Sequence, residues 1–483
     1  MKMQMKNRMM LAGLAIMLGV QAWAKPKLPY LFSDNMVLQQ QSSPAIWGWA
    51  SAGKTVTVTA SWDGKKYSTK ADANGKWKLN VNTPSAGGPY NVSVSESETI
   101  ALKNVWLGEV WLCGGQSNME MPVKGYRDQP IVGSMDAIMH SKDKNIHMIT
   151  IPRASFASVQ DTTKATSWLN AGPEAVSKFS ATGWFFGDLL NQMLDVPIGL
   201  ISCNYGGSSA EAWMTPESLK AFPEITIAEV GKPLSSPNRV ASVLYHGMLA
   251  PVVGYGIKGA IWYQGESNID RPTQYQTLFP ALVRNWRDLW AQGDFPFYYV
   301  QIAPYNNGVP ASQDFKSNSA YLREAQLKAT GTIPNSGMAV IMDAAEELCI
   351  HPAHKKEGGE RLALQALAKT YGMTGFAYES PTYDSLIFNG NSITIRFKNA
   401  QTGLTSYSKP LTTFQVAGKD KKFWNATASV VAGRVVVSSS RVPEPVAVRY
   451  AFKDFVVGEL FSTEGLPISS FRTDDWTDGV YMQ

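Results

Sequence analysis

An apolar run that stops at two glycines, with a serine just beyond, constrains this chain more than any other stretch. Val110-Trp-Leu-Cys113 has the length and composition of a short buried strand, and Gly114-Gly115 permit a tight turn with positive φ. Such a turn puts Ser117 at the carboxyl edge of a sheet, where open α/β sheets hold their ligands. Alone, the segment also fits an ordinary strand-to-helix turn with a capping serine. Two distant segments change the balance. Gly259-Ala-Ile-Trp-Tyr-Gln-Gly-Glu-Ser-Asn268 is again an apolar strand ending in a glycine turn rich in amide and carboxyl side chains, and Asp343–His354 supplies imidazole.

A serine hydroxyl is a weak nucleophile near neutral pH and needs a base that takes its proton and later returns it to a leaving alcohol. The chain has 5 histidines: His140, His147, His246, His351 and His354. His351 is the best base, because it follows an apolar strand and an acidic loop and precedes Pro352, which keeps its backbone extended. His354 reads as a loop or helix-cap residue, His246 as structural, and His140 and His147 as solvated. A metal reading of His351 and His354 fails, since neither His-Glu-x-x-His nor Cys-x-x-Cys is present. The chemistry implied is acyl transfer to water. Its oxyanion needs preorganised donors: the N–H of Ser117, an N–H of Gly206 or Gly207, and the side-chain amide of Gln264 or Asn268.

Four blocks, Gly115–Met119, Asn204–Met214, Tyr263–Asn268 and Ile350–Pro352, together resemble the sialate O-acetylesterase family of the SGNH hydrolases. Leu31–Gln40, Arg323–Gln326, Gly359–Ala363 and Phe471–Trp476 extend the resemblance over nearly the whole chain. It implies a flavodoxin-like α/β/α catalytic domain with a parallel sheet, and removal of O-acetyl groups from a sugar, sialic acid foremost, without metal or organic cofactor. Carried over by position, Ser117 is the nucleophile, His351 the base, Gly206 or Gly207 the second oxyanion donor and Gln264 the third. Gln116, Asn118, Glu211, Trp213, Glu266 and Asn268 are candidates for shaping the substrate site, with the Trp213 indole offered for stacking on a sugar. Arg127 and Arg271 are candidates for a sugar acid's carboxylate, though both also read as solvated.

One departure stands out. Many SGNH enzymes carry an aspartate three residues before the histidine, and here that position is Leu348. Either Glu346, Glu347 or Asp343 swings in as third member, or a backbone carbonyl near Leu348 or Cys349 orients the ring; the carbonyl, making a Ser-His dyad, is the favoured expectation. The other functions weighed are an acetylxylan or other polysaccharide esterase and a non-catalytic carbohydrate-binding protein.

With 483 residues the chain exceeds one core. Residues 1–24 read as a secretory signal cut after Ala24, implying a periplasmic or extracellular enzyme with no membrane span in the mature chain. Residues 25–105 read as a β-sandwich, 106–375 as the catalytic α/β domain and 376–483 as a C-terminal β unit. Losing the signal lowers the formal charge from +5 to +2, which gives no electrostatic reason to bind nucleic acid. Cys113, Cys203 and Cys349 adjoin the three catalytic blocks and read as small buried thiols near converging strand ends.

Overall fold

The strand expected at Val110–Cys113 is the end of a 17-residue strand, Thr99–Gly115, that belongs to two units at once. The computed structural model describes residues 26–306, 318–476 and 480–481; the signal expected over 1–24 lies outside them. The first part of the long strand pairs antiparallel with Gly87–Ser95, which pairs with Thr55–Ala60 in the N-terminal β unit. Its second part pairs in parallel with Ile198–Asn204 on one side and Gly259–Tyr263 on the other. The boundary expected at 105/106 therefore lies inside a continuous strand, and no linker separates the units.

The catalytic sheet runs in the order Ser336–Ala339, Phe297–Val300, Gly259–Tyr263, Thr99–Gly115, Ile198–Asn204, Ile146–Thr150, Leu169–Asn170. All neighbours are parallel except the short last strand. Successive side chains of the central strand enter opposite cores, as a strand's two-residue period requires. Val110 and Leu112 pack with Leu278, Leu282 and Trp286 of the helix Pro272–Trp290. Trp111 and Cys113 pack with Phe185 and Phe186 of Ala181–Leu194 and with Leu362 and Ala366 of Lys355–Lys369. A sheet covered on both faces is what a continuous apolar run predicts, and each fully buried large apolar side chain contributes about 1.5–3 kcal/mol.

The helices follow from local signals. Ser180 caps Ala181–Leu194 by accepting the Gly183 N–H at 3.0 Å, and Asp195 ends it at φ 53°. Pro272 opens the next long helix, whose Tyr275, Phe279, Leu282 and Trp286 form one apolar stripe. His147, expected in solvent, is instead buried on Ile146–Thr150, with Nε2 3.1 Å from Asn145 Oδ1.

The C-terminal region forms mainly antiparallel sheets, one containing Thr382–Asn389, Ser392–Lys398, Arg434–Ser438 and Thr427–Val431. Polar side chains join it to the catalytic unit: Arg323 Nε donates to Ser470 Oγ at 3.1 Å and Gln301 Nε2 to Ser469 Oγ at 2.8 Å. Arg449 and Asp474 form a buried two-pronged pair at 2.9 and 2.6 Å, which gives the Phe471–Trp476 block a structural role. Among the described residues no helix is long and apolar enough to cross a membrane.

Candidate active site

Three strands of the catalytic sheet end in register, Gly115 lying opposite both Asn204 and Tyr263. Residues one or two positions beyond these ends therefore meet at one edge. Gly115 has φ +143°, and a Cβ there would sit 2.2 Å from Tyr263 O, so glycine is required on both counts. Gln116 then donates its N–H to Tyr263 O at 3.0 Å, and Ser117 starts the one-turn helix Ser117–Glu120. Gly206 is brought against the serine: a Cβ on it would lie 3.5 Å from Ser117 Cβ.

His351 meets Ser117 at this edge, with Nε2 2.8 Å from Oγ. Its other nitrogen, Nδ1, lies 2.8 Å from Gln129 Oε1. An amide oxygen only accepts, so Nδ1 carries the proton and Nε2 turns its lone pair to the serine. The orienting group is thus Gln129, and the expectations for that role are corrected. Glu346 accepts the Ala353 N–H at 2.7 Å, Glu347 accepts from Asn306, and Asp343 is paired with Arg361 at 2.7 Å. Nor does the Leu348–Cys349 backbone hold the ring; Cys349 Sγ instead lies 3.2 Å from His351 O. The loop that carries Gln129 also places Tyr126 edge-on to the imidazole, ring centroids 5.4 Å apart.

Burial, and secondarily the Lys355 cation, push the His351 imidazole down from 6.5 to about 4. The imidazole is therefore neutral well below the usual imidazole range. The acid limb of kcat/KM is expected below pH 6, and a limb at pH 6.5 or above would contradict this environment. Replacing Gln129 by leucine removes the orienting acceptor and leaves Nδ1–H unpartnered, worth about 1–3 kcal/mol, so kcat should fall about 10- to 100-fold. Gln129→Glu provides the converse check: a carboxylate there favours the imidazolium, so the acid limb should move to higher pH.

Asn118 ties the blocks together from behind. Its Nδ2 donates to Glu266 Oε1 at 2.5 Å and to Ile350 O at 3.1 Å, while its Oδ1 accepts from Lys355 Nζ at 2.8 Å. Lys355 is buried and also donates to Pro352 O at 2.6 Å, which fixes the loop carrying His351. Burial pushes its ammonium down to about 7 and raises the enclosed Glu266 carboxyl, with mutual attraction opposing both shifts. Asn118 is thus a brace and not a substrate ligand.

Several other expected roles are revised. Gln264 is fully buried; its Nε2 donates to Ser208 O at 3.1 Å and Asn268 Oδ1 at 2.7 Å, and its Oε1 accepts from Tyr275 at 3.0 Å. With both amide hydrogens committed, it supports the turn and does not face an oxyanion. The Gly206 N–H is likewise occupied, donating to Glu120 Oε2 at 2.8 Å, and Arg153 holds that carboxylate in a two-pronged pair at 2.6 and 2.5 Å. Asn268 is buried between Gln264, Ala210 N–H and Glu211. Trp213 is buried with its N–H on Ser208 Oγ at 3.0 Å, so its ring is not available to a sugar. Gln116 Oε1 accepts the N–H groups of Gly265 and Ser267 at 3.2 and 3.3 Å. Arg127 projects into solvent beside Asp128, and Arg271 is neutralised by Glu211 at 2.8 Å.

A cleft of about 830 Å³ opens beside this edge, bordered by Ser209, Glu211, Arg239, Glu266, Ser267 and Arg271. Its wall is bonded to both neighbours of the serine, through Glu266 to Asn118 and through Ser267 N–H to Gln116. Gln129, Glu120, Tyr126 and Lys355 were not singled out from sequence. Only Glu120 carried a local hint, since it lies one helical turn after Ser117.

The geometry can be set beside known proteins. Residues 107–368 match the family model described as carbohydrate esterase, sialic acid-specific acetylesterase. The chain belongs to this family. It is a carboxylic ester hydrolase, and the reading as a non-catalytic binding protein falls. Sialate O-acetylesterase of Pongo abelii is 31% identical over 384 residues, 72% of each chain. Its Mus musculus counterpart is 31% identical over 415 residues, 72% of this chain and 74% of that one. The crystal structure of a carbohydrate acetylesterase from Xanthomonas citri superposes with a TM-score of 0.85 at 34% identity, covering 93% of this chain and 100% of the other. The α/β/α esterase fold with added β units is shared with that structure.

Proposed function

We propose that this member of the family removes O-acetyl groups from sialic acid by acyl transfer through Ser117, and does so after export. The observation that carries the reading is the Ser117–His351–Gln129 relay at the sheet edge of a chain from an acetylesterase family. Ser117 Oγ attacks the acetyl carbonyl while His351 Nε2 takes its proton. The imidazolium returns that proton to the departing sugar oxygen, leaving an acetyl-serine that water hydrolyses with the same imidazole as base. Two donors suit the oxyanion. Ser117 N–H opens a helix and has no acceptor within it, and Gly207 N–H carries no hydrogen bond among the described residues.

Sialic acid is supported by the family description and by the names of the mammalian relatives. A polysaccharide substrate such as acetylated xylan is supported by the Xanthomonas enzyme, described as a carbohydrate acetylesterase over nearly the whole chain. Acetate release from O-acetylated sialic acid and from acetylated xylan, measured on the same preparation, separates the two. Release from the sialic acid alone is the expected result; release from xylan alone would replace this substrate with the polysaccharide. Export is supported by the basic start, apolar stretch and Ala22-Trp-Ala24 of the leader.

A further inference from the structure

We infer that Arg239 is the group that binds the carboxylate of an acidic sugar, which would make this cleft selective for anionic over neutral acetylated sugars. The inference rests on the sialic acid reading above and supplies its missing recognition element.

Every other charged side chain bordering the cleft is already engaged. Lys232 pairs with Glu229 at 2.6 Å, and Arg271 with Glu211 at 2.8 Å and Asp270 at 3.6 Å. Glu224 accepts from Gln274 at 2.7 Å, and Glu266 from Asn118 at 2.5 Å. Arg153, the other arginine near Gly206, is held by Glu120. Arg239 differs: its Nε donates to Gly207 O at 3.3 Å, and among the described residues Nη1 and Nη2 have neither a hydrogen bond nor an ion pair.

The residue is also positioned. Its carbonyl accepts from Ser209 Oγ at 2.9 Å, and its neighbour Asn238 donates to Gly206 O at 2.8 Å. Both residues are therefore tied to the segment that lies against Ser117. A guanidinium anchored through Nε keeps its two terminal N–H groups in a planar fork, the arrangement that matches a carboxylate. The segment 206–209 runs from Ser117 to the cleft wall that carries Arg239, so a sugar whose acetyl ester lies at Ser117 would extend along it with its carboxylate towards Arg239.

The test compares acetate release from O-acetylated sialic acid, from the same sugar with its carboxylate blocked as a methyl ester, and from acetylated xylo-oligosaccharide. It uses the wild-type enzyme, Arg239→Gln and Arg239→Lys. The expected result is that Arg239→Gln raises KM for the free acid about 10- to 100-fold and leaves the methyl ester unchanged, that Arg239→Lys lies between, and that none of the three enzymes turns over the neutral oligosaccharide. An unchanged KM for the free acid, or an equal loss on the free acid and its methyl ester, overturns the assignment while leaving the sialic acid reading intact. A wild-type enzyme that deacetylates the oligosaccharide but neither sialic acid derivative overturns the sialic acid reading itself, and the assignment with it.

Discussion

Ser117→Ala is expected to lower kcat for acetate release by at least about 10⁴-fold, the scale seen when a nucleophile that works with a base is removed. The hydroxyl is bonded to His351 Nε2 at 2.8 Å, and among the described residues that is its side-chain partner. The fold should hardly notice the change, since a single partly exposed hydrogen bond contributes about 0.5–1.5 kcal/mol. His351→Ala should produce a loss of similar size. The double variant should be little worse than either single one, because the two groups transfer one proton and act as a unit. The checks are steady-state kinetics on all three variants, with denaturant midpoints to confirm that each is folded. Multiplying losses in the double variant would mean that the residues act independently, and a Ser117→Ala enzyme with near-normal turnover would place the nucleophile elsewhere.

Gly115→Ala is the second large effect, and it should strike stability and activity together. The residue has φ +143°, and its added methyl would be built 2.2 Å from Tyr263 O, in the backbone of the neighbouring strand. Relief requires the strand ends to part, and those ends position Ser117 and the Gly206–Gly207 segment. A cost of about 2–4 kcal/mol is expected from backbone strain and overpacking together. Gly133→Ala is the useful control. It also has positive φ, +77°, but nothing lies within 4 Å of its missing Cβ, so it reports the conformational strain alone, about 1 kcal/mol. Denaturant unfolding of the two variants gives the comparison. Equal destabilisation would show that the close approach of the two strands is not what requires glycine at 115.

The pH behaviour of stability has a defined sign. His351 and His147 are both pushed down to about 4 by burial, and His246 is lowered as well. Below 6.5 the unfolded chain binds more protons at these sites than the folded one. Their contribution to stability is therefore lost as pH falls from about 6.5 towards 4. The same burial that keeps the His351 imidazole neutral limits how acidic a medium the fold tolerates.

The parts of the site legible in the sequence were those written in local sterics. Apolar runs ending in glycine marked Val110–Gly115 and Gly259–Gly265, because strand burial and positive φ are properties of neighbouring residues. Ser117 and His351 followed as candidates, since few residue types can attack an ester or take the attacking hydroxyl's proton. Gln129, by contrast, sits 222 residues before the histidine it orients, in a loop with no periodicity. The absence of an aspartate at position 348 pointed to a backbone carbonyl near Leu348 or Cys349, or else to a nearby carboxylate, while the partner came from another loop and was an amide. Gln264, Asn268 and Trp213 had the right chemistry for a substrate site, yet lie buried behind it, because an amide or an indole can serve packing as well as recognition.

Arg239 and Arg271 differ for the same reason. Both are arginines beside one cleft, and only the fold reveals that Glu211 takes one while the fork of the other has no partner among the described residues. Local patterning in the sequence marked the strands, their glycine turns and the candidate pair Ser117 and His351, because apolar runs, positive φ and reactive residue types are all properties of short stretches. Which polar side chains brace the site and which face the cleft was decided by the tertiary structure, because a hydrogen bond depends on where distant loops meet, and residue type does not encode that.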